Sequence, residues 1–100
     1  MGILGGILAY LGNLNFASGK LAEAEAFYKK AVKRKAGNGL PYLNYAILLL
    51  GQGGRTADAI DLLEKSLTVK KRSALTEKNI YITRVTAFWL HGDLDRATDA

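Results

Sequence analysis

Few residues in this chain have side chains that could carry out chemistry. The only histidine, His91, is followed by Gly92, so we expect it to cap carbonyl oxygens at a helix end and not to transfer protons. The glycine-rich stretch 51–54 precedes Arg55, but it lacks the Lys-Ser/Thr pair and the preceding strand of a phosphate-binding loop. It is therefore predicted to be a turn. The sequence predicts no catalytic residue and no cofactor.

The carboxylates and the cysteine content also argue against a metal centre. Glu23, Glu25, Asp58, Asp61 and Glu64 fall in the early turns of predicted helices, where the helix dipole favours acidic side chains and water solvates them. The chain has no cysteine, so it has no thiolate metal site and no disulfide. No metal site is predicted. A cysteine-free chain suits a reducing compartment, and we expect a cytoplasmic location.

Composition fits one helical domain. The 100 residues are 49% hydrophobic and 23% charged and include a single proline, which permits long helices. The apolar run 3–11 is too short to span a bilayer and has no basic region before it, so it is predicted to be the first helix of the domain. The net charge of +5 weakly favours acidic partners or surfaces.

The spacing of apolar residues predicts six helices, separated by glycine-containing turns except between the fourth and fifth, where a polar segment intervenes and Thr76 or Ser73 is expected to cap the fifth helix. They are expected at residues 2–17, 20–35, 41–50, 56–67, 77–90 and from 93 onward. Gly19 should end the first helix in a left-handed conformation, and Thr56 should cap the fourth with its hydroxyl group. The sixth pattern stops at Ala100, too early to bury much surface, so we expect a fragment of a longer repeat array.

An internal repeat relates the first two predicted hairpins. A shift of 35 residues places Gly19 on Gly54 and Ala24 on Ala59. The period and the residues resemble the tetratricopeptide repeat, a helix-turn-helix unit of about 34 residues with the pattern W-x2-L-G-x2-Y, then A-x3-F, then P. The matching stretches are Leu8-x2-Leu11-Gly12-x2-Asn15 with Ala24-x3-Tyr28, Leu43-x2-Ala46-Ile47-x2-Leu50 with Ala59-x3-Leu63, and Tyr81-x2-Arg84-Val85-x2-Phe88 with Ala97.

This resemblance implies an all-α fold. We expect a right-handed αα-superhelix of about two and a half tandem helix-turn-helix repeats. Residues 1–100 would form one domain, with repeats at 2–37, 38–72 and 76–100. The small residues Ala24, Ala31, Ala59 and Ser66 are expected where helices approach closely.

The resemblance also implies a binding surface, because such arrays expose the first helix of each hairpin on a concave face. The residues at the family's groove positions are Asn13, Phe16, Asn44, Leu48, Gln52, Asn79, Thr86 and Trp89, with Ala9 and Ile82 beside them. The implied function is a non-catalytic protein-interaction scaffold that binds a peptide or partner helix. Trp89 would be an amphipathic anchor, or alternatively would pack against the sixth helix. The family's clamp for C-terminal carboxylates is not expected, since Ala9, Asn79 and Thr83 replace the basic side chains that it needs.

Cations cluster at the ends of the second and fourth predicted helices. The predicted basic edge consists of Lys33, Arg34, Lys35, Lys70, Lys71 and Arg72. Cations are stabilising at helix C-termini, and such runs are commonly a solvated face. The functional alternative is an edge that binds acidic lipid, nucleic acid or an acidic protein. Nucleic acid ranks below protein, since no aromatic residues interleave with the cations. A regulatory piece of a larger protein is the third alternative.

The predicted fifth helix lacks a full-length partner, because the sixth stops at Ala100. Its apolar residues Val85, Phe88 and Trp89 would then be uncovered, and uncovered apolar patches tend to recruit a partner. We expect a homodimer through this C-terminal face, weakened by Phe88→Glu.

Overall fold

Five α-helices make up most of the chain that the computed structural model describes, which is residues 2–34, 39–52, 55–69 and 74–91. They are α1 (Gly2–Ala17), α2 (Leu21–Lys33), α3 (Leu40–Gln52), α4 (Thr56–Ser66) and α5 (Ala74–His91). Within these ranges there is no strand, so the predicted all-α class is confirmed. The predicted sixth helix lies outside the described residues. No helix in the described ranges has the length and apolarity needed to cross a membrane.

The first turn of the chain follows the sequence prediction. Gly19 has a φ of 79°, a left-handed conformation that glycine adopts without steric cost. The N–H of Gly19 donates to the carbonyl of Phe16 at 3.0 Å, and the N–H of Lys20 donates to the carbonyl of Asn15 at 2.8 Å. This pair of hydrogen bonds is the Schellman motif. It ends α1 and directs the chain back along it as α2.

The cap of α4 and the start of α5 differ from the prediction. Thr56 is the first residue of α4, and the capping position is held by Arg55 without any side-chain hydrogen bond, so the predicted Thr56 cap is wrong. The helix α5 begins at Ala74 and not at residue 77. Its first turn buries Thr76, at 5% exposure, while Leu75 is 67% exposed. Because a buried threonine and an exposed leucine invert the usual apolar pattern, periodicity alone placed the start of this helix at residue 77.

The helices pack in chain order and form two layers. Each helix contacts the next one along the chain, and α3 also contacts both α1 and α5. Between α2 and α4 no such contact exists. The layer of α1, α3 and α5 is therefore continuous, with α3 at its centre. This arrangement fits tandem hairpins whose first helices share a face. The right-handed superhelix and the three repeat boundaries stay predictions.

Small residues lie where the layers approach most closely. Ala24, Ala31, Ala59 and Ser66 are all fully buried, as the sequence predicted. Tyr28 and Tyr45 belong to the same core cluster as Ala24 and Ala59, and their rings stack with centroids 6.1 Å apart and an interplanar angle of 26°. Because alanine leaves space for these rings, the aromatic residues of two successive hairpins share one core.

Burial corrects the predicted register of α3. The pattern Leu43-x2-Ala46-Ile47 assigned Ile47 to the position that Gly12 holds in the first hairpin. Gly12 is buried, whereas Ile47 is 41% exposed and Ala46 is fully buried. The second hairpin therefore matches as Tyr42-x2-Tyr45-Ala46-x2-Leu49, one residue earlier. The matching positions of the first helices are thus 34 residues apart, as Gly12 and Ala46 are, whereas Ala24 and Ala59 of the second helices are 35 apart.

Arg84, which replaces the leucine of the family pattern in the third repeat, is ion-paired. Its guanidinium lies 3.1 Å from a Glu64 carboxylate oxygen and 5.1 Å from the centroid of the Phe88 ring. Phe88 itself is only 1% exposed. Phe88 therefore cannot be a contact residue of the predicted homodimer, and that part of the prediction is wrong. Val85 and Trp89 are exposed by 38% and 64%, and the homodimer itself stays a prediction.

Candidate functional site

The exposed face of the α1, α3 and α5 layer is the candidate site. Neither α1 nor α3 contains a single charged residue, whereas α2 and α4 carry both signs of charge. Within the α1, α3 and α5 layer, charged side chains occur only on α5, at Glu77, Lys78 and Arg84. A surface formed by α1 and α3 can offer only apolar contacts and neutral hydrogen-bonding groups to a ligand.

Two asparagines from successive hairpins meet on this face. The Asn44 side-chain amide donates to Asn13 Oδ1 at 3.1 Å, and the Tyr28 hydroxyl donates to the same oxygen at 2.6 Å. Asn13 Oδ1 therefore accepts two hydrogen bonds, which fixes the orientation of its amide. The Asn13 Nδ2 group points away as a donor. Neither Asn13 Nδ2 nor Asn44 Oδ1 has a partner among the described residues.

A shallow pocket of about 410 Å³ adjoins the two asparagines. Its lining consists of Asn13, Phe16, Ala17, Tyr28 and Asn44. Phe16 is half-buried and packs against the core cluster. The pocket thus combines an apolar floor with amide groups at its edge, which is the usual composition of a binding site.

The other predicted groove residues are not all available to a ligand. Asn79, Thr86 and Trp89 are exposed on α5, and the 64% exposure of Trp89 excludes the alternative that it is a core residue. Gln52 is exposed and accepts a hydrogen bond from Arg55 at 3.0 Å. Leu48 is only 2% exposed, so its assignment to the groove is wrong.

The error at Leu48 follows from the register of α3. The one-residue correction moves the groove position to Ile47, which the predicted pattern had placed at the glycine position of the repeat. Tyr28 was also missed as a groove residue, because it lies on α2 and reaches the face only through its hydroxyl group. Tyr28 stacks on Tyr45, and no sequence pattern indicates that a stacked tyrosine of α2 also reaches the groove. Ala9 is half-buried and Ile82 is 54% exposed.

Comparison with known families supplies the identity of the repeat. The family model described as tetratricopeptide repeat matches residues 15–74, which is more than half of the chain. The chain belongs to the tetratricopeptide repeat family. Comparison with curated proteins and with solved structures gave no match. Tetratricopeptide repeats generally mediate protein-protein interactions, and the family is typically a non-catalytic scaffold.

A polar cluster joins the two tetratricopeptide hairpins beneath the groove. Arg55 makes two hydrogen bonds to the Glu25 carboxylate, at 2.6 and 2.8 Å, and the Tyr45 hydroxyl donates to Glu25 at 2.9 Å. The Glu25 side chain is 14% exposed. A bidentate pair of this kind is a strong, oriented interaction. It connects α2 to α3 and to the start of α4, and so fixes α3 relative to the first hairpin.

The electrostatics of the cluster follow from these contacts. The Arg55 hydrogen bond lowers the pKa of Glu25 below its ordinary 4.5 even though burial opposes this shift. The pKa of Arg55 is raised by the same hydrogen bond. Burial, helped by the Glu25 carboxylate, raises the pKa of Tyr45 to about 12. All three groups are therefore held in one ionisation state at neutral pH.

The predicted basic edge lies mostly outside the described residues. Lys33 and Arg34 are exposed at the end of α2. Lys35, Lys70, Lys71 and Arg72 are not among the residues described. The alignment of the two cationic clusters along one edge therefore stays a prediction, as does the cytoplasmic location. In the described part of the chain there is also no group of His, Asp or Glu suited to a metal ion.

Proposed function

We propose that this tetratricopeptide domain is a protein-interaction module that binds an extended peptide segment across α1 and α3. The observation that carries the proposal is the Asn13 and Asn44 pair, which offers one amide donor and one amide acceptor on the same face. A peptide unit has one carbonyl acceptor and one N–H donor. An extended peptide backbone that crosses this pair can therefore hydrogen-bond to both the amide donor and the amide acceptor, whatever its side chains are.

The neutral surface supports a definite class of ligand. Because α1 and α3 are free of charge, a charged ligand side chain buried there would lose its hydration without finding an opposite charge. Apolar side chains would instead cover Phe16 in the pocket and Ile47, which is 41% exposed. The proposed ligand is an extended segment with uncharged, mainly apolar residues over the stretch that crosses the two asparagines.

The proposal is tested by selecting peptides from a random display library on the wild-type domain. The selected sequences should be depleted of Asp, Glu, Lys and Arg in their core. Asn44→Ala should weaken their binding roughly two- to twelvefold, the expected effect of one hydrogen bond of about 0.5–1.5 kcal/mol. Calorimetric titration of the purified domain measures this change.

Asn15→Ala is the matched control. It makes the same substitution on α1, at a residue whose amide already donates to the Leu11 carbonyl at 2.8 Å within the helix. Binding should be unchanged in this variant. Equal losses in both variants, or selected peptides rich in charged residues, would contradict the proposed groove.

A further inference from the structure

A second pocket lies away from the groove, between the first half of α1 and the end of α2. We propose that it binds a single-chain anionic amphiphile, meaning an alkyl chain that ends in a carboxylate or phosphate group. The pocket has a volume of about 590 Å³ and is lined by Leu4, Leu8, Lys30, Lys33 and Arg34. None of these residues belongs to the proposed peptide groove.

The lining combines two kinds of surface that one ligand must satisfy together. Leu4 is 44% exposed, and Leu8 lies one helical turn further along α1. Their exposed apolar area is released from water when an alkyl chain covers it. The three cations come from α2 and its C-terminal end. They would face the charged end of a chain that lies over the leucines.

Within the described part of the chain, no carboxylate neutralises the cations of this pocket. Four other cations pair with carboxylates: Lys29, Arg55, Lys65 and Arg84. Lys30, Lys33 and Arg34 have no ion pair among the described residues. The opposite helix cannot supply one, because α1 contains no acidic residue. Three uncompensated positive charges beside an apolar floor favour an anionic ligand.

The size of the pocket indicates which anionic ligand to expect. A volume of 590 Å³ falls within the range of about 300–1,000 Å³ found for small-molecule sites. A purely anionic polymer would make no use of the two leucines, and a neutral lipid would make no use of the cations. A fatty-acid-like molecule uses both, with its head group at the end of α2 and its chain along α1.

Decanoate at concentrations below its micelle threshold is a suitable probe, with decanol and acetate as the neutral and chainless comparisons. Titration into the isotope-labelled domain, followed by NMR, should give saturable shifts centred on Leu4, Leu8 and Lys33. Decanol and acetate should each bind at least about tenfold more weakly, because each lacks one of the two interactions.

Charge reversal provides the matched comparison. Lys30→Glu combined with Lys33→Glu should weaken decanoate binding by about tenfold or more, since attraction is replaced by repulsion at close range. Lys20→Glu combined with Lys78→Glu makes the same change in net charge at exposed lysines outside the pocket, and should leave binding within about twofold. The groove variant Asn44→Ala should bind decanoate like the wild type.

Several results would overturn the proposal. Equal binding of decanol and decanoate would show that the cations have no role. Equal losses of decanoate binding in the two charge-reversal variants would show that only the net charge of the domain matters, and not the cations of the pocket. Shifts confined to Asn13, Phe16 and Asn44 would assign the ligand to the groove. Binding to anionic phospholipid vesicles without any binding of monomeric decanoate would indicate a membrane surface instead of an amphiphile pocket.

Discussion

Gly12 is the position where the packing of the first hairpin can be tested most sharply. A Cβ atom added to Gly12 would lie 2.6 Å from both Cδ1 and Cε1 of the Tyr28 ring, well inside the normal contact distance. The ring cannot easily withdraw. Tyr28 is fully buried, it stacks on Tyr45, and its hydroxyl is bonded to Asn13 at 2.6 Å.

Two opposing effects determine the result of Gly12→Ala. Replacing glycine by alanine within a helix stabilises it by about 0.5–1 kcal/mol. Forcing an extra methyl group into a well-packed core costs roughly 1–3 kcal/mol. Because the contact is with a ring held on three sides, we expect the upper part of that range. The net loss should be about 1–2 kcal/mol, or a fall of roughly 4–16 °C in Tm for a domain of this size.

Gly6→Ala on the same helix is the control for Gly12→Ala. A Cβ atom at Gly6 would meet nothing within 4 Å, so only the helix-propensity gain remains. We expect Gly6→Ala to raise Tm by a few degrees, while Gly12→Ala lowers it. Thermal and urea unfolding of both variants measure the pair. Two changes of the same sign would refute the close contact between α1 and the Tyr28 ring.

Other perturbations probe the junction between the hairpins. Ala59→Leu should lower the free energy of unfolding by roughly 1–3 kcal/mol, because Ala59 is fully buried; an unchanged urea midpoint would argue against this packing. Since the pKa of Glu25 is lowered, its ion pair stabilises the fold above about pH 4.5 and loses this effect as the pH falls through the lowered pKa. Glu25→Gln should therefore destabilise the domain at pH 7, with a difference from wild type that shrinks in acid; a pH-independent difference would contradict the assignment. Ultraviolet titration should show Tyr45 ionising near pH 12, and this absorbance change should be missing in Tyr45→Phe.

The sequence was sufficient to predict the helices and the small residues between them. The periodicity that defines α2 and α4 also identifies Ala24 and Ala59, since a helix has one apolar stripe and the smallest residues on it mark the closest approach. The turn at Gly19 was predictable for a similar local reason. These features depend on neighbours within a few residues of each other along the chain.

The errors in register and in the groove arose where two segments must be placed relative to one another, whereas the cap of α4 and the start of α5 were misassigned locally. Ala46 and Ile47 are both apolar, so the pattern alone could not decide which of them faces α4. The second hairpin has one more residue than the first between the matching positions of its two helices, and this extra residue shifted the predicted register of α3. That single shift misassigned Leu48. The hydrogen bonds that connect Asn13 to Asn44, and Glu25 to Arg55, join residues that are 31 and 30 positions apart. No local rule of sequence predicts such contacts.

The proposed groove is tested most directly by the side-chain amide signals of Asn13 and Asn44. A peptide selected on the wild-type domain would be titrated into the labelled protein, and the side-chain NH₂ resonances followed by NMR. We expect both amides to shift and to saturate together with the backbone of α1 and α3, because Asn13 donates to the peptide and Asn44 accepts from it. Unchanged Asn13 and Asn44 amides, with the largest shifts on α2 or α4, would contradict a groove built on these two residues.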